Sequence, residues 1–203
     1  MTLQAWALLL LAAIGLSVTP GPNSLLAITH GALHGHRRTV FTVAGGALGF
    51  TALIAGSMAG VGALLQTSAH ALTVLKWAGG AYLVWLGVQI WRAPPVHLQA
   101  QAGPAGGGRL VLFRAGLATA LSNPKALLFY GAFLPQFIDP QRDLLPQFVV
   151  MALTFVVVEV LFELMLALLA HRIRPWLQRA GRRFNRACGA LFVGMGAALP
   201  MAR

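Results

Sequence analysis

Ser17-Val18-Thr19-Pro20-Gly21-Pro22-Asn23 and, in the second half of the chain, Ser122-Asn123-Pro124-Lys125 are the stretches that decide the fold. Each sets proline, asparagine and a hydroxyl residue inside a long apolar run. Proline removes a helix hydrogen bond and crowds the preceding turn, so backbone carbonyls are freed. Exposed to lipid those groups are costly, and such breaks are tolerated only where they face protein or a wet cavity. Two interrupted helices at corresponding positions of two halves point to a transport site.

The surrounding composition fits a membrane protein. Of 203 residues, 58% are apolar and 9% charged, against about a quarter charged in soluble domains. The formal charge of +11 comes from arginines in short clusters between apolar runs. That is the pattern of a polytopic membrane protein, not of a nucleic-acid binder. Six runs approach the length of a membrane crossing: 3–33, 39–65, 69–91, 114–133, 144–170 and 187–201. No Lys or Arg precedes Arg37, so the first run reads as a mature span and not a cleaved signal peptide. The single cysteine, Cys188, excludes an internal disulfide.

Eleven of the thirteen arginines lie in the first, third and fifth connections. The positive-inside rule then places those connections in the cytoplasm and both termini outside. The stretch 93–108, with Pro94, Pro95, Pro104 and Gly106 to Gly108, reads as a flexible linker. The chain thus divides into a three-helix repeat at 1–92, a linker at 93–113 and a second three-helix repeat at 114–203. Three is odd, so the repeats must be inverted, and the expected fold is an all-α membrane protein of six transmembrane helices.

Depth singles out the charged residues. Lys125 lies 11 residues beyond Arg114, about 17 Å along a helix and near the middle of a core about 30 Å thick. Glu159 and Glu163 lie 13 and 9 residues from Arg172, about 20 Å and 14 Å deep. Charges at such depth are functional candidates by default. The glutamates are four apart and share a helix face, where mutual repulsion keeps a proton on one of them. That suits proton loading and release. The alternative is a structural ion pair between Lys125 and either glutamate that docks the fourth span on the fifth.

Other polar signals read as packing. His30 and His34 share a face but have no Cys or carboxylate nearby to complete a zinc set, and they are expected at the interface. No metal or cofactor site is expected. Gly45/Gly49, Gly56/Gly60 and Ala190/Gly194/Ala198 are small-residue ridges for close helix approach, within a monomer or in a homo-oligomer. The segment 172–186 reads as an amphipathic helix on the inner leaflet. A phosphate-binding Gly-x-x-x-x-Gly-Lys-Ser/Thr loop is missing from the sequence, so ATP does not drive this chain directly. An enzyme would need a nucleophile–base set or a metal cluster in the spans, and neither is found.

Thr19-Pro20-Gly21-Pro22-Asn23 resembles the signature of the LysE/RhtB family of amino-acid exporters. So do Gly79-Gly80-Ala81-Tyr82-Leu83-Val84-Trp85-Leu86-Gly87, Phe113-Arg114-Ala115-Gly116, Ser122-Asn123-Pro124-Lys125 and Pro135-Gln136-Phe137, in the family's order and spacing. Glu159 falls where the family often carries an acid; Glu163 has no counterpart of that kind. The resemblance implies proton-driven export of amino acids from the bacterial cytoplasm, across the inner membrane. The expected substrate contacts are Thr19, Pro20, Gly21, Pro22, Asn23, Asn123, Pro124 and Lys125, with Glu159 and Glu163 coupling to protons. The partners are the amino acid, protons and membrane lipid. Export of another metabolite or a cation, or a non-transporting scaffold, are the alternatives.

Overall fold

The structure, a computed structural model, describes residues 2–19, 21–65, 69–92, 108–139 and 141–198. Pro20, the connection at 66–68 and residues 93–107 of the expected linker lie outside the described residues. The described residues are helical and include no strand: α1 (Leu3–Val18), α2 (Pro22–His34), α3 (His36–Leu65), α4 (Ala69–Arg92), α5 (Arg109–Leu121), α6 (Pro124–Phe133), α7 (Leu144–Leu168) and α8 (Ala170–Ala198). A 3-10 turn, Leu134–Phe137, follows α6.

The proline motifs divide two of the expected spans. Thr19 precedes Pro20 and is extended, at φ −67° and ψ 122°, because a residue before proline is pushed out of the helical region. Gly21 is extended too, and Pro22 opens α2 at the position where its missing N–H costs least. Asn123, at φ −73° and ψ 105°, stands in the same relation to Pro124 at the start of α6. The runs 3–33 and 114–133 are therefore α1–α2, bent by 55°, and α5–α6. Among the described residues two helices can each cross a bilayer alone by length and composition, His36–Gly60 and Leu144–Leu168, and α1 with α2 makes a third if taken as one bent span. The arginine-rich 172–186 segment is continuous with the apolar stretch after it, since α8 runs unbroken from Ala170 to Ala198.

Two close helix pairs frame the molecule, α3 on α5 and α4 on α8. In the first, a Cβ on Gly49 would lie 2.6 Å from the Ala120 Cβ, and Gly45 and Gly116 leave no room against the carbonyls of Phe113 and Thr42. In the second, a Cβ on Gly87 would meet the Gly189 carbonyl at 2.7 Å, and one on Gly189 would meet the Trp91 nitrogen at 2.7 Å. The Gly45/Gly49 ridge packs as expected. Within this chain Gly56, Gly60 and Gly194 have open space around them, and α8 uses Gly189 against α4. Gly116→Leu should therefore destabilise the protein by about 3 kcal/mol, and Gly194→Leu by less than about 0.5 kcal/mol, in thermal unfolding in detergent.

Between these pairs, α7 packs on α1, α2 and α3. Its outer face exposes Leu145, Val149, Leu153, Val157 and Leu161 at four-residue spacing, while Met151, Phe155, Glu159 and Glu163 turn inward. An apolar stripe of that extent belongs against lipid, not water. The core beside the breaks is aromatic. Phe129 meets Tyr130, Phe155 and Phe192 edge to face at centroid distances of 5.9, 5.7 and 6.1 Å.

Candidate functional site

The two breaks meet in the interior. Asn123 Nδ2 donates to Asn23 Oδ1 at 3.1 Å, joining the first broken span to the second. The Asn123 Oδ1 faces the other way and caps α6, accepting from the Lys125 and Ala126 nitrogens at 3.0 and 3.4 Å. Lys125 reaches back across the interface, and its Nζ donates to the Leu16 and Thr19 carbonyls, both at 2.8 Å. A helix leaves its last carbonyls unpaired and its C-terminal end partly negative, so an ammonium there answers both needs. Gly21 makes the approach possible, because a Cβ on it would stand 3.0 Å from Nζ.

The glutamates lie on the other side of the same break. Glu159 accepts a hydrogen bond from the Ser17 hydroxyl, near the end of α1. Glu163 is 2% exposed and lies beside Asn23 over Gly46. A Cβ on Gly46 would sit 3.2 Å from Asn23 Nδ2 and 3.5 Å from Glu163 Oε2. The other oxygen, Glu163 Oε1, is buried without a hydrogen-bond partner among the described residues. The alternative of a Lys125–glutamate ion pair is not realised: among the described residues no such pair lies within 4.0 Å. The carbonyls of α1 hold the ammonium instead.

The two half-helices differ at their starts. Asn123 caps α6, whereas Gly21 has no side chain with which to cap α2. Pro22 lacks an N–H, and the first bond of α2 runs from the Leu25 nitrogen to the Gly21 carbonyl at 3.0 Å. The N–H groups of Asn23 and Ser24 therefore stay outside the helix's own ladder, at the positive end of its dipole.

Of the residues expected here, the structure brings together Thr19, Gly21, Asn23, Asn123, Lys125, Glu159 and Glu163. Pro22 and Pro124 are exposed and set the backbone without turning inward. Pro20 lies outside the described residues. Three further participants carried little sequence signal. Ser17 opens the first motif with only a small hydroxyl to mark it; Gly46 is masked by the Gly45/Gly49 ridge; Cys188, buried on α8, lies beside Thr19. His30 is not interfacial as expected: it is fully buried, with Nδ1 2.7 Å from the Thr42 hydroxyl.

Comparison with known proteins gives this arrangement a context. A homoserine/homoserine lactone efflux protein of Salmonella typhimurium is 37% identical over 206 residues, covering 100% of this chain and 99% of its own. A leucine efflux protein of an Enterobacter species is 31% identical, over 90% of this chain and 88% of its own. A cysteine/O-acetylserine efflux protein of Escherichia coli is 30% identical, over 87% and 88%. No solved structure matches the chain. The family model described as LysE type translocator matches residues 14–203, and the chain, a membrane protein and a transporter rather than an enzyme, belongs to that family.

Proposed function

We propose that this protein exports an amino acid or amino-acid derivative across the bacterial inner membrane by proton antiport, from one site where the two breaks meet. The relatives' names, which speak of homoserine, leucine and cysteine efflux, support the substrate class. The packing supports two inverted three-helix repeats in six spans. Exchanging α1–α4 with α5–α8 carries the α3–α5 contact into α7–α1, α2–α7 into α6–α3 and α4–α6 into α8–α2, and every one of these pairs is in contact. With the arginine-rich connections in the cytoplasm, both termini lie outside.

The observation that carries the reading is the pairing of unlike groups across one break. The uncapped start of α2 offers N–H donors suited to an α-carboxylate. The unsatisfied Glu163 oxygen, beside Asn23, suits an α-ammonium. Asn23 and Asn123 add side-chain hydrogen bonds, and Lys125 fixes the end of α1 that the site is built on. A proton and the substrate's ammonium compete for the glutamate pair, so a protonated carrier returns inward and a substrate-loaded one turns outward. Alternating access comes from rocking one repeat against the other.

The test is uptake of labelled amino acids into inside-out vesicles with an acid interior. One substrate class should accumulate only while the pH gradient lasts. Absence of gradient-dependent uptake for every amino acid, from folded protein, would overturn the proposal.

A further inference from the structure

His30 sits on α2 two turns beyond Asn23, inside the bundle, and is 0% exposed. Its Nδ1 is held 2.7 Å from the Thr42 hydroxyl on α3, and its Nε2 is buried without a hydrogen-bond partner among the described residues. Leaving such a nitrogen unpaired in a packed interior is costly, so an unpaired one in a native site calls for a reason. Its neighbours suggest that reason. Gly46, which Glu163 overlies, is four residues from Thr42 on the same helix, or about 6 Å along its axis. On the other side the ring of His34, half-buried, stands edge-on to His30 at a centroid distance of 5.5 Å. Beyond it come Gly35, at φ 76°, and the exposed Arg37 and Arg38. Glu163, His30 and His34 thus lie in order from the central break to the arginine-rich end of α2.

We propose that His30 relays protons between Glu163 and His34, and so connects the glutamate pair to the cytoplasmic face; this rests on the proton-antiport reading above. The proton that leaves Glu163 is taken up at His30 Nε2, leaving a carboxylate free for the substrate's ammonium. Thr42 holds the ring in place through Nδ1. The imidazolium then gives up one proton to His34 and returns to its neutral form. Other ionisable groups on the helices packed against α2 do not offer this route. Among the described residues, His36, Arg37 and Arg38 on α3, Arg109 and Arg114 on α5, and Arg172, Arg182, Arg183 and Arg186 on α8 are exposed, Glu159 is engaged by Ser17, and Cys188 sits beside Thr19.

The experiment compares two modes of transport by His30→Gln in proteoliposomes. Substrate exchange without a gradient needs no net proton movement, whereas uptake driven by a pH gradient does. The variant should exchange within about twofold of the parent while its initial rate of gradient-driven uptake falls about a hundredfold, as expected on removing a positioned proton carrier. Thr42→Val, a milder change, should lower gradient-driven uptake and spare exchange. Gradient-driven uptake near the parent's rate in His30→Gln would overturn the relay. An equal loss of both modes in both variants would overturn it too, by making His30 a packing residue. Failure of the antiport reading is visible separately: the parent protein itself would exchange substrate yet ignore the gradient.

Discussion

Lys125→Met abolishes gradient-driven uptake and lowers stability at the same time. The side chain bridges the two broken spans, from the first turn of α6 to the Leu16 and Thr19 carbonyls at the end of α1. A hydrogen bond from a charged donor contributes about 1.5–3 kcal/mol, and leaving a buried carbonyl unpaired costs about 1–3 kcal/mol. Methionine keeps the apolar stem and loses both bonds, so a loss of about 3 kcal/mol is expected in thermal unfolding. Because those carbonyls end the helix that borders the site, the uptake rate should fall at least about a hundredfold, the kinetic equivalent of that energy. Gly21→Ala separates geometry from charge. It keeps the ammonium but puts a methyl 3.0 Å from Nζ, and it should cost most of the transport with less of the stability. Uptake by Lys125→Met within threefold of the parent (about 0.7 kcal/mol) would show that Lys125 serves neither purpose.

Glu163→Gln should uncouple transport from the pH gradient. Glutamine has nearly the same shape and still fills the space beside Asn23 and over Gly46, so the fold is retained. It neither ionises nor carries a proton. Gradient-driven uptake should fall by about two orders of magnitude, the contribution of a positioned proton-transfer group, and what remains should no longer vary with pH. Glu159→Gln should act in the same direction with a smaller effect, because Glu159 is committed to the Ser17 hydroxyl and an amide oxygen accepts that bond as well. The two rates as a function of pH, measured side by side, check the ranking. A Glu163→Gln protein that still follows the gradient would place proton binding elsewhere.

The backbone of this site was legible because proline leaves little choice. Thr19-Pro20 and Asn123-Pro124 forbid a continuous helix, and asparagine before proline is a ready cap for α6. The inward direction of Glu159 and Glu163 followed from the cost of charge in an apolar helix. What the sequence hid depends on three-dimensional neighbours. Lys125 reads as a substrate contact, or in the alternative as a partner for a glutamate, because charge and depth are the only guides; the end of α1 holds it with two carbonyls. His30 looked interfacial because Thr42, which buries and bonds it, is on another helix. Gly189 and not Gly194 carries α8 against α4, since a small-residue repeat names a face without saying which way the face turns. The length of α8 was hidden by charge: its arginines suggest a surface helix, yet neither proline nor glycine stands between Arg186 and Cys188, where the apolar half begins.

Proton movement driven by substrate alone tests the central claim most directly. Inside-out proteoliposomes with a pH-sensitive dye in the lumen, and no imposed gradient, receive the transported amino acid from outside. Antiport predicts that the lumen turns alkaline as substrate enters, with a signal that saturates with substrate and vanishes in Glu163→Gln. Entry of labelled substrate with no change in lumenal pH would contradict proton antiport and the role given to the glutamate pair.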